Sequence, residues 1–189
     1  MTRKSMTARG LFLAGFALAL LSSLGCGGGS DGGPIPPALA CSDGGTAGAN
    51  TVTMSCGALI DATTERVDVV IEGPASGTTT LRGLNFDVTY DPTKLEFVPA
   101  GHPASPLFPD ALVLVNLANG QQGRIVAAIQ QVGTLPDVAV TTGEHEVISL
   151  SFRRVGTDTF DPTPLTFDRA QGTAAVPAIT FANGLSLAA

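Results

Sequence analysis

The sequence is poor in aromatic and imidazole side chains: its 189 residues include no tryptophan, one tyrosine and two histidines. Sugar-binding modules usually stack sugar rings on exposed Trp or Tyr side chains, which have an apolar face and a polar edge. The single tyrosine, Tyr90, alternates with apolar residues and should therefore face a core. Phe108 lies in a proline-rich segment, and since phenylalanine is usually buried, we expect its ring to fold over the core. The composition argues against an aromatic sugar-binding platform.

Catalytic motifs are also absent from the sequence. It contains no Gly-x-Ser-x-Gly, His-Glu-x-x-His or Walker motif, and its carboxylates are scattered rather than set apart as a glycosidase pair. His145 lies between Glu144 and Glu146, but neighbouring residues of a strand point to opposite faces, so these three side chains should not converge on a metal ion. We expect a protein that is not an enzyme and that uses no cofactor.

One acidic segment, "GTDTFDPTPLTFD", contains Asp158, Asp161 and Asp168. Carboxylate oxygens bind Ca²⁺, but that ion takes about six to eight oxygen ligands, more than this segment supplies. Turn formation is the simpler interpretation, because Asp161-Pro162 repeats an Asp-Pro pair found earlier in the chain. Asp158 and Asp161 are therefore weak candidates, and we predict no metal site.

Basic residues are few and lie partly in the N-terminal leader. Residues 1–25 combine Arg3, Lys4 and Arg9 with the apolar run Leu11–Leu21 and small residues, which is typical of a secretory signal peptide. The run is shorter than the roughly 20 residues of a membrane span. Removal of residues 1–25 leaves seven basic residues against 16 acidic ones, a net charge of −9. A chain with this balance and no basic patch should not bind nucleic acid.

Cysteine is scarce and its number is odd. Leu24-Gly25-Cys26 resembles the lipobox of bacterial lipoproteins, although Ser23 stands where that family prefers leucine. The resemblance implies acylation of Cys26 and a lipid anchor in the cell envelope, with Gly27 favouring the outer membrane. The alternative is plain secretion with a free thiol. If Cys26 carries lipid, Cys41 and Cys56 remain as a pair that an oxidising compartment would join in a disulfide.

The rest of the chain divides into a tether and an all-β domain. Residues 26–50 are rich in Gly, Pro, Ser and Ala and predict a flexible tether, parts of which Cys41 could hold. From residue 51 to residue 189, short apolar runs alternate with turn residues and predict one jelly-roll β-sandwich of about nine strands. The predicted strands are residues 51–56, 66–72, 81–90, 94–98, 111–117, 123–131, 145–154, 164–168 and 179–187.

The most informative segment is "LNFDVTYDPTKLEF", residues 84–97. Its apolar residues alternate as far as Tyr90, which predicts a strand with one face on the core. Asp91 and Pro92 then favour a type I turn or one helical turn, because Asp accepts local hydrogen bonds and Pro fixes its own φ. Leu95 and Phe97 return to the core. The segment predicts a strand, a corner and a second strand.

This corner, formed by Tyr90, Asp91, Pro92 and Leu95, resembles the early strand-corner-strand of cohesin domains. The segments "GRIVAAIQQ", "HEVISLSFRRVG" and "PLTFDRAQGTAAVPAITFANGLSLA" are similar to later strands of that family. The resemblance covers residues 51–189. It implies a nine-stranded jelly-roll sandwich that docks a dockerin-like protein partner through a flat sheet face. No partner-binding residue can be transferred, because no motif marks that face.

Three functions are compatible with these observations. The first is a non-catalytic, exported binding module that docks a dockerin-like protein partner at the cell envelope. The second is a carbohydrate-binding module linked to polysaccharide degradation, which would need a polar groove in place of aromatic platforms. The third is a structural envelope or adhesion lipoprotein. In each case, membrane attachment would be through the N-terminal lipid alone.

Overall fold

The computed structural model describes residues 37–45, 47–99, 102, 105–173 and 175–189. The predicted signal peptide and Cys26 lie outside these residues. No helix in the described ranges has the length and apolar character that a bilayer span requires.

Fourteen strands make up the fold of the described residues. They are β1 (Ala40–Ser42), β2 (Thr51–Asp61), β3 (Thr64–Glu72), β4 (Thr79–Leu81), β5 (Gly83–Thr89), β6 (Leu95–Phe97), β7 (Ala111–Leu117), β8 (Arg124–Gln131), β9 (Val138–Val140), β10 (Glu144–Arg154), β11 (Thr163–Pro164), β12 (Thr166–Thr173), β13 (Thr180–Phe181) and β14 (Ser186–Ala188). A single 3-10 turn, Ala118–Gly120, joins β7 to β8.

Two sheets form a sandwich. The five-stranded sheet has the order β13-β2-β3-β10-β6, and the four-stranded sheet has the order β12-β5-β8-β7. Two smaller sheets, β1-β14-β11 and β4-β9, complete the structure. All pairs are antiparallel except β13 with β2. The prediction of an all-β jelly-roll sandwich is confirmed.

The predicted number of nine strands is too low, because the chain changes sheets within three of the predicted segments. The segment 81–90 divides at Arg82, where Thr79–Leu81 pairs with β9 and Gly83–Thr89 pairs with β8. Residues 164–168 and 179–187 each divide between two sheets in the same way. Strands β1 and β9 were not predicted; each is three residues long, too short to show a period of two.

The folded part begins before the predicted boundary at residue 51. Strand β1 lies within the segment 26–50 that the composition predicts as a tether, and it pairs with β14. Leu39 is buried, and its N–H donates to the carbonyl of Ala62 at 3.0 Å. A disulfide joins Cys41 to Cys56 in β2, with 5.7 Å between the Cα atoms. Composition misses this segment because a buried side chain, a disulfide and hydrogen bonds to distant parts of the chain hold it in place.

The core forms between the inward faces of the two large sheets. In β5, Leu84, Phe86 and Val88 are buried, with exposures of 0–1 %. Across the sandwich, β3 and β10 contribute buried Val, Ile, Leu and Phe side chains, and both strands are buried over most of their length. Tyr90 and Phe108 are both buried, as the sequence predicts. Since burial of a large apolar side chain contributes about 1.5–3 kcal/mol, these faces supply most of the stability.

The Tyr-Asp-Pro corner forms one helical turn between β5 and β6. The carbonyl of Asp91 accepts from the N–H groups of Lys94 and Leu95, at 3.2 and 3.0 Å. Its carboxylate accepts from the hydroxyl and the N–H of Thr93, at 2.7 and 2.9 Å, and these two bonds lower the pKa of Asp91 below its ordinary value. The turn has the local hydrogen bonds that the Asp-Pro pair predicts.

A glutamine that the sequence did not single out holds this corner in place. The Oε1 atom of Gln122 accepts from the hydroxyl of Tyr90 and from the N–H of Phe97, the latter at 2.8 Å. Its Nε2 atom donates to the carbonyl of Phe97 at 3.3 Å. Burial raises the pKa of Tyr90, so its hydroxyl stays protonated as a donor. Gln122 therefore connects the β7–β8 turn to both strands of the corner.

We predict that the double substitution of Cys41 and Cys56 by alanine lowers the free energy of unfolding by about 3 kcal/mol, because the disulfide closes a 15-residue loop in the unfolded chain. Urea denaturation should measure this loss. Adding a reductant to the wild-type protein should give the same loss; an unchanged midpoint in both cases would contradict the prediction.

Substitution of Gln122 by alanine should cost about 1–3 kcal/mol, because it leaves the Phe97 N–H and the Tyr90 hydroxyl without their partner. The matched control is Gln121→Ala, since Gln121 is exposed and its side chain should contribute under about 0.5 kcal/mol. Equal denaturation midpoints for the two variants would show that the corner does not depend on Gln122.

Glu65 generates a pH-dependent prediction. It is 4 % exposed, lies opposite Phe152 on β10, and burial raises its pKa above 4.5. A raised carboxyl pKa in the folded state means that ionisation destabilises the fold above that pKa, and that the cost vanishes below the unfolded value. Glu65→Gln should therefore raise the denaturation midpoint at pH 7 and leave it unchanged near about pH 3.5. The same gain at both pH values would disprove ionisation as the cause.

Candidate functional site

The outward face of the four-stranded sheet is the most distinctive surface of the described chain, and we call it the β5 face. Because side chains alternate along β5, Asn85, Asp87 and Thr89 point away from the core. Strand pairing places two rows across the face. One row contains Gln171, Asn85, Ala128 and Leu114, and the other contains Asp168, Asp87, Val126 and Asn116.

One half of the β5 face is apolar and accessible. Leu112 is 64 % exposed, Leu114 is 47 % exposed and Val126 is 36 % exposed. The side chains of Val113 and Val115, which alternate with the two leucines along β7, pack against the core. Strand β7 is thus apolar on both faces, and the outer leucines have no partner in the described chain. A surface that displays such side chains together is suited to contact with another molecule.

The other half of the β5 face is charged. Asp87 and Asp168 lie directly opposite each other on β5 and β12, an arrangement that is repulsive without a counter-ion. Arg124 supplies the counter-ion: its Nε atom donates to Asp87 at 2.9 Å, its Nη2 atom also donates to Asp87, and Nη2 lies 3.4 Å from Asp168. The hydrogen bond to Asp87 raises the pKa of Arg124. Arg124 is therefore a fixed cation in the middle of this half.

A cleft of about 350 Å³ opens between the two halves. Its lining is formed by Asp87, Ala118, Asn119, Arg124, Val126 and Arg169. Arg169 belongs to a bulge in β12, where the register shifts between Asp168 and Gln171. Asn119 belongs to the 3-10 turn after β7. The cleft thus joins the apolar half to the charged half.

The outward face of the five-stranded sheet is different, because its polar side chains are already bonded to one another. Asp68 is 9 % exposed and accepts from Arg66 at 2.9 Å and from the hydroxyl of Ser149 at 2.7 Å. Residues near the β6–β7 connection lie against β10: His102 Nδ1 is 2.8 Å from the carbonyl of Ser149, and Ser105 donates to that of Glu146. The polar groups of this face are therefore already paired, whereas the β5 face exposes apolar side chains.

The structure places the residues considered for catalysis or metal binding in two regions of the described chain. Glu144, His145 and Glu146 border a cleft of about 340 Å³, but His145 Nε2 lies 3.0 Å from the carbonyl of Thr141. In the described ranges, just one group of three side chains has metal-ligand atoms within reach of one another, Cys41, Asp43 and Cys56, and its cysteines form the disulfide. The exposed Asp158 and Asp161 are not part of it.

A third cleft, of about 520 Å³, is lined by Lys94, Thr159, Phe160, Asp161 and Ala189. Phe160 is the one aromatic ring in its lining, and the Lys94 ammonium lies over that ring at 5.8 Å. The ring is therefore occupied on one face by a cation.

Comparison with known proteins identifies the architecture. No family model matches the sequence, and no curated protein matches it. The structure is similar to the sixth cohesin of scaffoldin B from Acetivibrio cellulolyticus, solved in complex with a Cel5 dockerin, with a TM-score of 0.55 and 15 % identity over 73 % of this chain and 97 % of that one. The chain has the cohesin fold.

Two further cohesins give the same result. The second type II cohesin module of the ScaA scaffoldin of the same organism matches with a TM-score of 0.53 and 12 % identity, covering 74 % of this chain and 91 % of that one. A non-cellulosomal cohesin from the archaeon Archaeoglobus fulgidus matches with a TM-score of 0.50 and 17 % identity, covering 73 % and 89 %. At the level of the fold, the resemblance carried by the Tyr90–Leu95 corner is confirmed.

The residues of the β5 face were not predicted as a site from the sequence. The signal was present in "ALVLVNL", residues 111–117, where apolar residues occupy both phases of a strand. A strand at the surface of a sandwich needs apolar residues in one phase only. The second phase, Leu112 and Leu114, therefore marks a surface with some use other than folding.

Proposed function

We propose that this protein is a non-catalytic docking module with the cohesin fold, which binds a dockerin-like protein partner through the β5 face. The observation that carries the proposal is the exposure of Leu112, Leu114 and Val126 on one sheet face, beside a fixed charge network. Interfaces between proteins combine an apolar centre with a polar rim in this manner. Dockerin complexes of similar structures support the same class of partner.

The place of action that we propose is the cell envelope. The support comes from the sequence: the leader 1–25, the lipobox-like Cys26 and the even cysteine pair. The disulfide between Cys41 and Cys56 is consistent with an oxidising compartment. A module on a lipid anchor would hold its partner close to the membrane surface, in keeping with an outer-membrane location.

Sugar binding has weaker support than protein docking. Of the three clefts described above, the one that contains an aromatic ring has Lys94 lying over that ring, Phe160. The β5 face, by contrast, has no aromatic residue in either of its two rows. A purely structural envelope or adhesion role would not explain why the leucines of β7 are exposed. A glycan array would reveal a polar sugar site if one exists.

We predict that Leu114→Asp abolishes retrieval of the partner when the immobilised protein is incubated with an extract of the producing organism. A charge at the centre of an apolar contact should cost at least about 2 kcal/mol, or roughly a 30-fold loss of affinity. Mass spectrometry of the retained proteins, followed by calorimetry with the purified partner, measures the effect.

The matched control is Leu59→Asp. Leu59 is 50 % exposed, close to the 47 % of Leu114, but it lies near the end of β2 and away from the β5 face. This variant should retain the partner with unchanged affinity. Equal losses in the two variants would refute the β5 face as the docking surface, and retention of polysaccharide alone would refute protein docking.

A further inference from the structure

We propose that the cleft in the β5 face is a carboxylate pocket, which receives an Asp or Glu side chain of the protein partner between Arg169 and Arg124. The inference deepens the proposed docking function and rests on it. It names a chemical requirement for the partner: an acidic side chain placed beside an apolar contact.

The first observation is the state of Arg169. Each of the five other arginines in the described part of the chain binds a carboxylate or a backbone carbonyl: Arg66, Arg82, Arg124, Arg153 and Arg154. Arg169 is exposed and makes no ion pair within the described ranges. Its guanidinium keeps five N–H donors for a ligand, in a fork that matches a carboxylate.

The second observation is backbone conformation. Three described residues other than glycine have positive φ, and two of them line this cleft: Asn119 with φ 54° and Arg169 with φ 49°. Positive φ is uncommon outside glycine, and bulges in sheets redirect side chains. The bulge in β12 and the turn after β7 thus bring Arg169 and Asn119 to the same cleft from opposite edges of the sheet.

The third observation is the balance of donors and acceptors. The one carboxylate in the lining, Asp87, already accepts two N–H groups of Arg124 on a single oxygen, Oδ2. The Nη1 atom of Arg124 makes no hydrogen bond in the described part, and the Asn119 amide adds further donors. Asp168 is a second carboxylate beside the cleft, 3.4 Å from Arg124 Nη2, so Arg124 is already paired on that side. The donors left for an acceptor ligand with negative charge are those of Arg169 and the Nη1 atom of Arg124.

The fourth observation is position. Val126 belongs both to the cleft lining and to the apolar half of the β5 face. A partner that covers Leu114 therefore passes over the cleft, and desolvation there strengthens a bond between a guanidinium and a carboxylate. The protein as a whole is acidic, so the pocket would select a local carboxylate in the correct place rather than an acidic partner in general.

The test begins with sodium acetate as the probe. In the ¹⁵N-labelled protein, the side-chain Nε–Hε signals of Arg169 and Arg124 should shift and saturate with acetate, and should not do so with sodium chloride at equal ionic strength. In Arg169→Gln, the affinity for acetate measured from the Arg124 signal should fall about tenfold, because the guanidinium of Arg169 is lost. Arg153→Gln, which removes an arginine outside the cleft, is the control and should change nothing. Identical responses to acetate and chloride would overturn the inference.

The second measurement connects the pocket to docking. A displayed library of small folded domains is selected for binding to the wild-type protein and then sorted by dependence on Leu114. Binders that need Leu114 should share an Asp or Glu and lose about tenfold in affinity to Arg169→Gln, with partial recovery in Arg169→Lys. Binders that need Leu114 but bind Arg169→Gln with unchanged affinity would refute the carboxylate pocket, although not the docking face. Binders that ignore Leu114 would count against the docking face itself, a result separate from the acetate titration.

Discussion

The pairing of β5 with β8 and β12 is the constraint on which the rest of the structure depends. Because side chains alternate, this one register sends Leu84, Phe86 and Val88 into the core and Asn85 and Asp87 to the surface. A shift by one residue would exchange the two sets. The core, the charge network around Arg124 and the cleft all follow from that register, so stability and the proposed recognition share one origin.

The corner after β5 holds one end of this strand in place. The helical turn at Asp91 carries the chain from the four-stranded sheet to the five-stranded sheet, and Gln122 fastens both strands of the corner to the β7–β8 turn. That turn also contributes Asn119 to the cleft. The most recognisable motif of the sequence is therefore a structural device that supports one end of the β5 face.

The sequence was sufficient for the fold because period-two alternation and turn residues are local signals. It predicted the corner and the burial of Tyr90 and Phe108. It missed β1, because Leu39 and a disulfide hold that strand through distant contacts. It also missed the site. Arg169 and Asn119 line one cleft because of a bulge and the strand order, which no local pattern encodes.

The central claim is that the protein works by contact through the β5 face. Methyl NMR of the protein bound to its purified partner tests this most directly, because each exposed apolar side chain reports on its own surroundings. The account predicts that the methyl signals of Leu112, Leu114 and Val126 shift on binding, whereas those of Leu59, Ile60 and Val155, exposed elsewhere, do not. Shifts confined to the second group, with the β5 face unchanged, would contradict it.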